Sequence, residues 1–232
     1  MALSSSLSFC LAQLSSSTGL LRLQRLAPEF SSNFPLLGLD VIPNFVTDIE
    51  GRAMVEELQP RLRKLDYLST HWDQVITGYR EFQFWPEREA DRYPACARAA
   101  DRLKGAFFPP EHKVLGTHVL DYTPQGHVRP HVDSTEFAGP ILSGLSLISP
   151  VVMRFRHKHS DTVVDALIPA NSVYLMHQCV RHEFTHETPP PTDDFGDRLY
   201  GHPRSGRRIA FILRSAASEP SDIISPWAAI IH

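Results

Sequence analysis

Two stretches in the first half of the chain repeat apolar residues at helical spacing. Ile49, Met54, Val55, Leu58, Leu62 and Leu65 recur behind Thr47, a capping residue, and predict an amphipathic helix over 47–65, perturbed near Pro60. Ala95, Ala97, Ala99, Ala100 and Leu103 predict a second helix over 87–104, and Trp72, Tyr79, Phe82, Phe84 and Trp85 read as an aromatic connection between the two. Beyond Pro110 the period changes. Short β-branched runs at 114–122, 127–133, 142–148, 151–155, 162–168, 172–177, 182–186 and 207–214 are separated by Pro, Gly, Asn and Ser, the pattern of a sandwich, barrel or jelly roll. No internal repeat is visible. Pro189, Pro190 and Pro191 mark 188–206 as a mobile loop. The expected organisation is a helical buttress over 29–113, a jelly-roll core over 114–215 and a tail over 216–232.

A chain of 232 residues suffices for one well-buried domain and is short for two enzyme-sized ones, so a single active site is expected. No run of about 18 apolar residues could span a bilayer as a helix. The first 28 residues hold seven serines among leucines, no carboxylate, and Arg22 and Arg25 as the only charged side chains. That composition predicts a transit peptide over 1–28, for mitochondria or, since Ser-rich leaders look alike, chloroplasts; a disordered tail is the plainer alternative. Its removal takes two of the 23 Lys and Arg and none of the 26 Asp and Glu, leaving a formal charge of −5. With eight acidic against seven basic residues over 66–113, the field before the strands has no positive excess for gripping duplex DNA. One basic cluster, Arg154, Arg156, His157, Lys158 and His159, would suit a short anionic or single-stranded partner better than a duplex. Cys10, Cys96 and Cys179 form neither a disulfide framework nor a zinc spacing.

The chemistry points elsewhere. A facial triad of two His and one carboxylate holds iron and leaves three positions open. Residues i and i+2 of a strand share a face, so His-x-Asp on a strand plus a distant His can build one. The spacing alone is not specific, for three His-x-Asp pairs are present. His71 and Asp73 lie among the predicted helices, and His159 and Asp161 in a polar run that reads as a hairpin turn. Only His131 and Asp133 stand in a strand-like segment with several strands to follow. For the distal ligand His177, His182, His186 and His202 are candidates. His186 closes a strand-like run, and His182 would share its face. Arg208 and Arg214 are six apart, so both can point inward from one strand. Buried arginines need an anion, and the two carboxylates of 2-oxoglutarate would match them; arginines reaching solvent from the strand ends are the simpler alternative.

These residues stand in longer runs. R-P-H-V-D-S at Arg129 to Ser134, F-T-H-E ending at Glu187 and R-R-I-A-F-I-L-R ending at Arg214 resemble the AlkB family of Fe(II)- and 2-oxoglutarate-dependent dioxygenases. H-W-D from His71, G-Y-R-E from Gly78 to Glu81, H-V-L-D from His118 to Asp121, G-L-S-L-I-S-P from Gly144 and F-G-D-R from Phe195 extend the likeness over about 44–215, nearest the family's mitochondrial branch. The resemblance implies a mainly β fold, a double-stranded β-helix (jelly-roll) core with flanking N-terminal α-helices. It implies Fe(II) on His131, Asp133 and His186, with 2-oxoglutarate and O2 as co-substrates. Arg208 would bind the distal carboxylate of 2-oxoglutarate, Arg214 would lie near its keto-acid end, and Tyr174 and Tyr122 would contact it. No catalytic residue beyond the metal centre is implied. The asparagine that nucleic-acid repair members carry two positions before Tyr122 is Leu120 here. The resemblance further implies a matrix enzyme, a monomer, that oxidises a protein or RNA substrate and not duplex DNA, with links to regulated necrosis and fatty-acid metabolism. A metal-bound interaction module of the mitochondrial death pathway, whose turnover is incidental, is the alternative from another class. A cupin-like protein using another metal would leave Arg208 and Arg214 without a purpose.

Overall fold

The computed structural model describes residues 38–70, 74–190 and 206–217 and the backbone of Leu21–Arg25. In chain order its elements are β1 (Leu21–Arg25), β2 (Leu39–Ile42), α1 (Asp48–Leu62), β3 (Leu68–Thr70), β4 (Ile76–Phe84), a 3-10 turn (Pro86–Glu89) and α2 (Pro94–Phe107). There follow β5 (Thr117–His131), β6 (Ala138–Leu147), β7 (Val151–His157), β8 (Val163–Ile168), β9 (Ser172–Met176), α3 (Gln178–Glu183), β10 (Phe184–Thr188) and β11 (Arg208–Ala216).

The first predicted helix forms behind a capping box. Thr47 Oγ1 accepts from the Glu50 backbone N–H at 3.2 Å, and Glu50 Oε2 accepts from the Thr47 N–H at 2.8 Å. Met54, Leu58 and Leu62 face inward, whereas Ile49, counted on the same apolar face, is 74% exposed. The second helix begins later than expected, because the 3-10 turn takes up 86–89 and Pro94 opens the α-helix. No side chain at its N-cap serves the first free N–H groups; Glu57 of α1 accepts from Ala95 N at 2.7 Å and Cys96 N at 2.9 Å instead. One carboxylate thus locks the two helices together.

The strands form an antiparallel sheet that rolls on itself, in the order β1-β8-β7-β10-β5-β11-β6-β9-β2, with β4 also on β5. β5 is the hinge of the architecture. Its first half pairs with β4 and β11 and its last residues with β10, so it belongs to both walls of the roll. Residues on one face of β11 and β9, among them Ile209, Phe211, Leu213, Val173 and Leu175, pack against α1 and α2. Alternate residues, Ala210, Ile212 and Met176, face Phe155, Val164 and Phe184 across the interior of the roll. The result is three layers, helices, wall and wall: the double-stranded β-helix.

Three expectations change. The aromatic connection is in part the nine-residue strand β4, whose Tyr79, Phe82 and Phe84 are buried, and β2 also joins the sheet, so 29–113 is more than a helical buttress. Its period was masked by Gly78, whose φ of +61° marks a register shift. A Cβ at Gly126, facing it, would stand 2.5 Å from the Gly78 carbonyl oxygen. Secondly, the runs 114–122 and 127–133 join in one strand that ends at His131. Thirdly, 182–186 is no uniform strand: α3 ends at Glu183, and β10 begins at Phe184. Of the predicted leader, only Leu21–Arg25 is described, and its backbone pairs antiparallel with β8. The loop segment 191–205, with Phe195 to Arg198 and His202, and His71 to Asp73 lie outside the described residues. So does nearly all of the tail. Among the described residues no helix is long and apolar enough to cross a membrane.

Candidate metal centre

Strand pairing brings the predicted ligands together. His131, the last residue of β5, lies directly opposite His186 of β10, and their ring centroids are 4.2 Å apart. Asp133 follows two residues past the end of β5, not within it as expected, yet its Oδ1 reaches to 3.2 Å from His131 Nε2 and 3.8 Å from His186 Nε2. The ligand atoms of these three residues all lie within 4.8 Å of one another, and they are the one such group of His, Cys, Asp and Glu among the described residues.

The donor chemistry suits a cation. His131 Nδ1 lies 3.0 Å from the Arg129 carbonyl oxygen, which can only accept, so Nδ1 donates there and Nε2 is the nitrogen turned toward Asp133. Burial depresses His186 to about 3, aided by the neighbouring His131 and against the pull of Asp133, so its ring is neutral at neutral pH. Burial by itself would raise the Asp133 carboxyl; the charge of Arg214 with hydrogen bonds from His131 and Arg214 hold it well below the usual range. Two imidazole nitrogens and one carboxylate oxygen therefore converge on a point.

The alternatives are placed elsewhere. His182 sits on α3, outside the cluster, and His177 Nε2 bonds Asp40 Oδ2 at 3.0 Å. His159 and Asp161 occupy the turn between β7 and β8, as the polar run suggested.

β11 supplies both arginines, as their even spacing required. Arg214 Nε donates to Asp133 Oδ2 at 2.8 Å. Arg208 is 2% exposed; its Nε donates to Ser146 Oγ at 3.0 Å, while its Nη2 is buried without a partner among the described residues. A buried guanidinium nitrogen left in that state costs free energy unless an anion reaches it. Tyr122, paired in register with Arg208, is buried with its ring 5.5 Å from the guanidinium carbon. Tyr174 is buried on β9, and its hydroxyl is raised by burial against the opposing charges of Arg208 and Arg214. Its ring lies so close to β6 that a Cβ at Gly144 would stand 2.2 Å from it, which accounts for the glycine in the G-L-S-L-I-S-P run.

One element of the site had no sequence signal. Arg181 of α3 is 2% exposed and donates to the carbonyls of Asp133 (3.0 Å), Ala138 (2.8 Å) and Gly139 (3.0 Å). It ties the helix that leads into His186 to the segment that carries Asp133. Its i, i+5 spacing from His186 matches no simple strand or helix period, so only the break between α3 and β10 makes the contact.

Comparison with known proteins agrees with this geometry. Residues 41–214 match the family model of the 2OG-Fe(II) oxygenase superfamily. The mitochondrial alpha-ketoglutarate-dependent dioxygenase alkB homolog 7 of Bos taurus is 38% identical over 179 residues, covering 75% of this chain and 77% of the bovine protein. Its Mus musculus counterpart is 35% identical over 181 residues, with the same coverage. Among solved structures, a Pseudomonas putida prolyl-4-hydroxylase superposes with a TM-score of 0.55 at 14% identity, over 81% of this chain and 96% of its own. A Trichoplax adhaerens prolyl hydroxylase, solved with a hypoxia inducible factor peptide, gives 0.54 at 12% identity, over 79% and 85%. The two hydroxylases share the fold of the roll. The chain belongs to the 2OG-Fe(II) oxygenase superfamily, as an AlkB-like dioxygenase that depends on Fe(II), 2-oxoglutarate and O2.

Proposed function

We propose that Fe(II) is held by His131 Nε2, Asp133 Oδ1 and His186 Nε2, and that 2-oxoglutarate binds between Arg208, Arg214, Tyr122 and Tyr174, with its distal carboxylate on Arg208. The observation that carries this reading is the Nη2 of Arg208, buried with no partner among the described residues, on the strand that also bears Arg214. A dicarboxylate supplies the anion that nitrogen lacks. Iron held there would supply oxidation of a C–H bond by O2, one oxygen atom going to the substrate and the other to succinate as 2-oxoglutarate loses CO2. The chain's own residues orient the co-substrate, and burial keeps the His186 imidazole neutral.

The enzyme is mitochondrial on this reading, in keeping with its Ser- and Arg-bearing leader and the names of its relatives, and works in the matrix as a monomer. Its substrate is a protein or an RNA, hydroxylated at carbon or demethylated at nitrogen, in a setting of regulated necrosis and fatty-acid metabolism. Duplex DNA is disfavoured by the charge balance over 66–113 and by the fate of the one basic cluster. Arg154 forms two hydrogen bonds with Asp165, at 2.8 and 3.0 Å, and Arg156 pairs with Glu187 at 2.8 Å, so both cations are already engaged. Mass spectrometry of mitochondrial protein and RNA, with the wild type against Asp133→Ala, tests the proposal. A mark that disappears only with the intact iron site identifies the substrate. Identical profiles, together with full rescue of the cellular phenotype by Asp133→Ala, would favour the interaction module.

A further inference from the structure

Two of the runs singled out in the sequence, G-Y-R-E ending at Glu81 and H-V-L-D beginning at His118, contain no residue of the site described so far. Strand register shows what each offers. β4 and β5 pair Glu81 with Leu120 and Gln83 with His118, which puts Glu81 and His118 on the face shared with Leu120 and Tyr122, the interior of the roll. His118 Nε2 lies 2.6 Å from Glu81 Oε2, and His118 Nδ1 lies 3.3 Å from Arg214 Nη1.

The proton positions in this chain follow from chemistry. A guanidinium only donates, so His118 Nδ1 must accept and carries no proton. The ring's one proton is then on Nε2, where the Glu81 carboxylate takes the hydrogen bond. Arg214 in turn donates through Nε to Asp133 Oδ2, which leaves Oδ1 turned toward His131 and His186. Four side chains from three strands and the segment after β5 therefore form one line: Glu81, His118, Arg214, Asp133.

We propose that Glu81 and His118 are positioning residues, which fix the tautomer and rotamer that aim Arg214 at both the Asp133 carboxylate and the keto-acid end of 2-oxoglutarate. The physical need is plain. Arg214 lies near the end of β11, with its side chain 21% exposed, and an arginine there has many rotamers to lose. Holding it before the co-substrate arrives removes that cost from binding. Glu81 acts through His118, whose Nε2 it meets at 2.6 Å. This inference rests on the reading that Asp133 holds iron and Arg214 serves 2-oxoglutarate.

The test is anaerobic titration of the full-length Fe(II) protein with 2-oxoglutarate, followed by the charge-transfer absorbance of the ternary complex. His118→Phe keeps the ring and removes both nitrogens; it should weaken binding roughly tenfold, as for loss of one hydrogen bond to a charged group. His118→Gln, whose amide can accept from Arg214 and donate to Glu81, should restore most of that loss. Glu81→Ala should weaken binding about threefold, and Glu81→Gln, which keeps an acceptor, much less. In the His118→Phe background Glu81→Ala should change nothing further, because its effect reaches 2-oxoglutarate through the imidazole; a pair that only holds β4 to β5 would show its coupling in stability and not in 2-oxoglutarate affinity. If His118→Phe does not fold, the Glu81 pair decides the matter alone, as its side chain is 30% exposed and its truncation is open to water. Asp133→Ala, run alongside, separates the two levels. Absence of the band in Asp133→Ala with wild-type affinity in the His118 and Glu81 variants, or with multiplicative losses, overturns the relay and leaves the iron assignment standing. A band that survives Asp133→Ala overturns the assignment and the relay with it.

Discussion

Asp121 and Asp133 are two low-exposure carboxylates, one within β5 and one just past its end, each beside an arginine of the C-terminal segment, and they differ in how completely they are satisfied. Asp121 is fully buried and accepts from Arg80 Nε at 2.8 Å, Arg207 Nε at 2.6 Å, Arg207 Nη2 at 2.9 Å and Tyr67 Oη at 3.1 Å. Both of its oxygens are hydrogen-bonded, and it lies on the outer face of β5. Asp133 has one oxygen bonded to Arg214 and the other facing the imidazoles of His131 and His186, and Arg208, on the same strand as Arg214, has a buried guanidinium nitrogen with no partner among the described residues. Arg207 and Arg208 are consecutive, and the alternation at the start of β11 sends one to each cluster. A closed cluster holds structure together, whereas an open one, short of partners among the described residues, has room to bind.

The sharpest way to break this contrast is to remove the open carboxylate. Asp133→Ala, and likewise His131→Ala and His186→Ala, should abolish Fe(II) binding and the anaerobic charge-transfer band, while His182→Ala keeps both. A band retained by His186→Ala and lost by His182→Ala would reverse the choice between those histidines. Next in size, Asp121→Ala leaves two arginines without their carboxylate and should lower stability by about 3 kcal/mol in urea denaturation, with the 2-oxoglutarate affinity of the folded fraction nearly unchanged. If its main effect were on 2-oxoglutarate, the division into a structural and a functional cluster would fail.

Arg208→Ala is the mirror experiment. It should weaken 2-oxoglutarate binding at least roughly 30-fold, the loss expected when a buried carboxylate loses its charged partner. A change below about threefold would place the co-substrate elsewhere. The open cluster also has a pH signature in the metal-free protein. His186 titrates at 6.5 when unfolded and about 3 when folded, so below pH 6.5 the unfolded chain binds the extra proton. Stability should therefore fall as pH drops from 6.5 toward 3, by at most about 1.4 kcal/mol per pH unit for one proton. Asp133, whose folded value lies well below 3.8, adds a loss of the same sign below 3.8. Denaturation at stepped pH checks this, and His186→Gln should flatten the upper part of the slope. The smallest effect belongs to an exposed pair. Arg156→Ala, which breaks the bond to Glu187 with Arg156 46% exposed, should cost under about 1 kcal/mol and leave the site untouched.

Several features of this molecule were legible because they depend on neighbours in sequence. The cap at Thr47 was visible for that reason, as were the helical period of Met54, Leu58 and Leu62 and the even spacing of Arg208 and Arg214. His131 and Asp133 were found by the same local logic, although Asp133 proved to stand beyond the strand. β4 was missed because the bulge at Gly78 resets its alternation and because it is lined with aromatics, which read as packing between helices. The break between α3 and β10 was missed because α3 is six residues long and leaves little periodic trace.

By itself the sequence determined the mainly β class, the family, and a short list of groups able to hold iron and a dicarboxylate. All of these follow from residue type and from spacings along one element. Tertiary structure decided which histidine stands with His131 and Asp133, since pairing of β10 with β5 sets His186 opposite His131. It also decided which of the two neighbouring arginines closes a structural cluster and which is left needing an anion, and it joined Glu81 and His118 to the site across β4 and β5. Those outcomes depend on register between strands far apart in the chain, where a one-residue slip exchanges the two faces, and no local pattern carries that information.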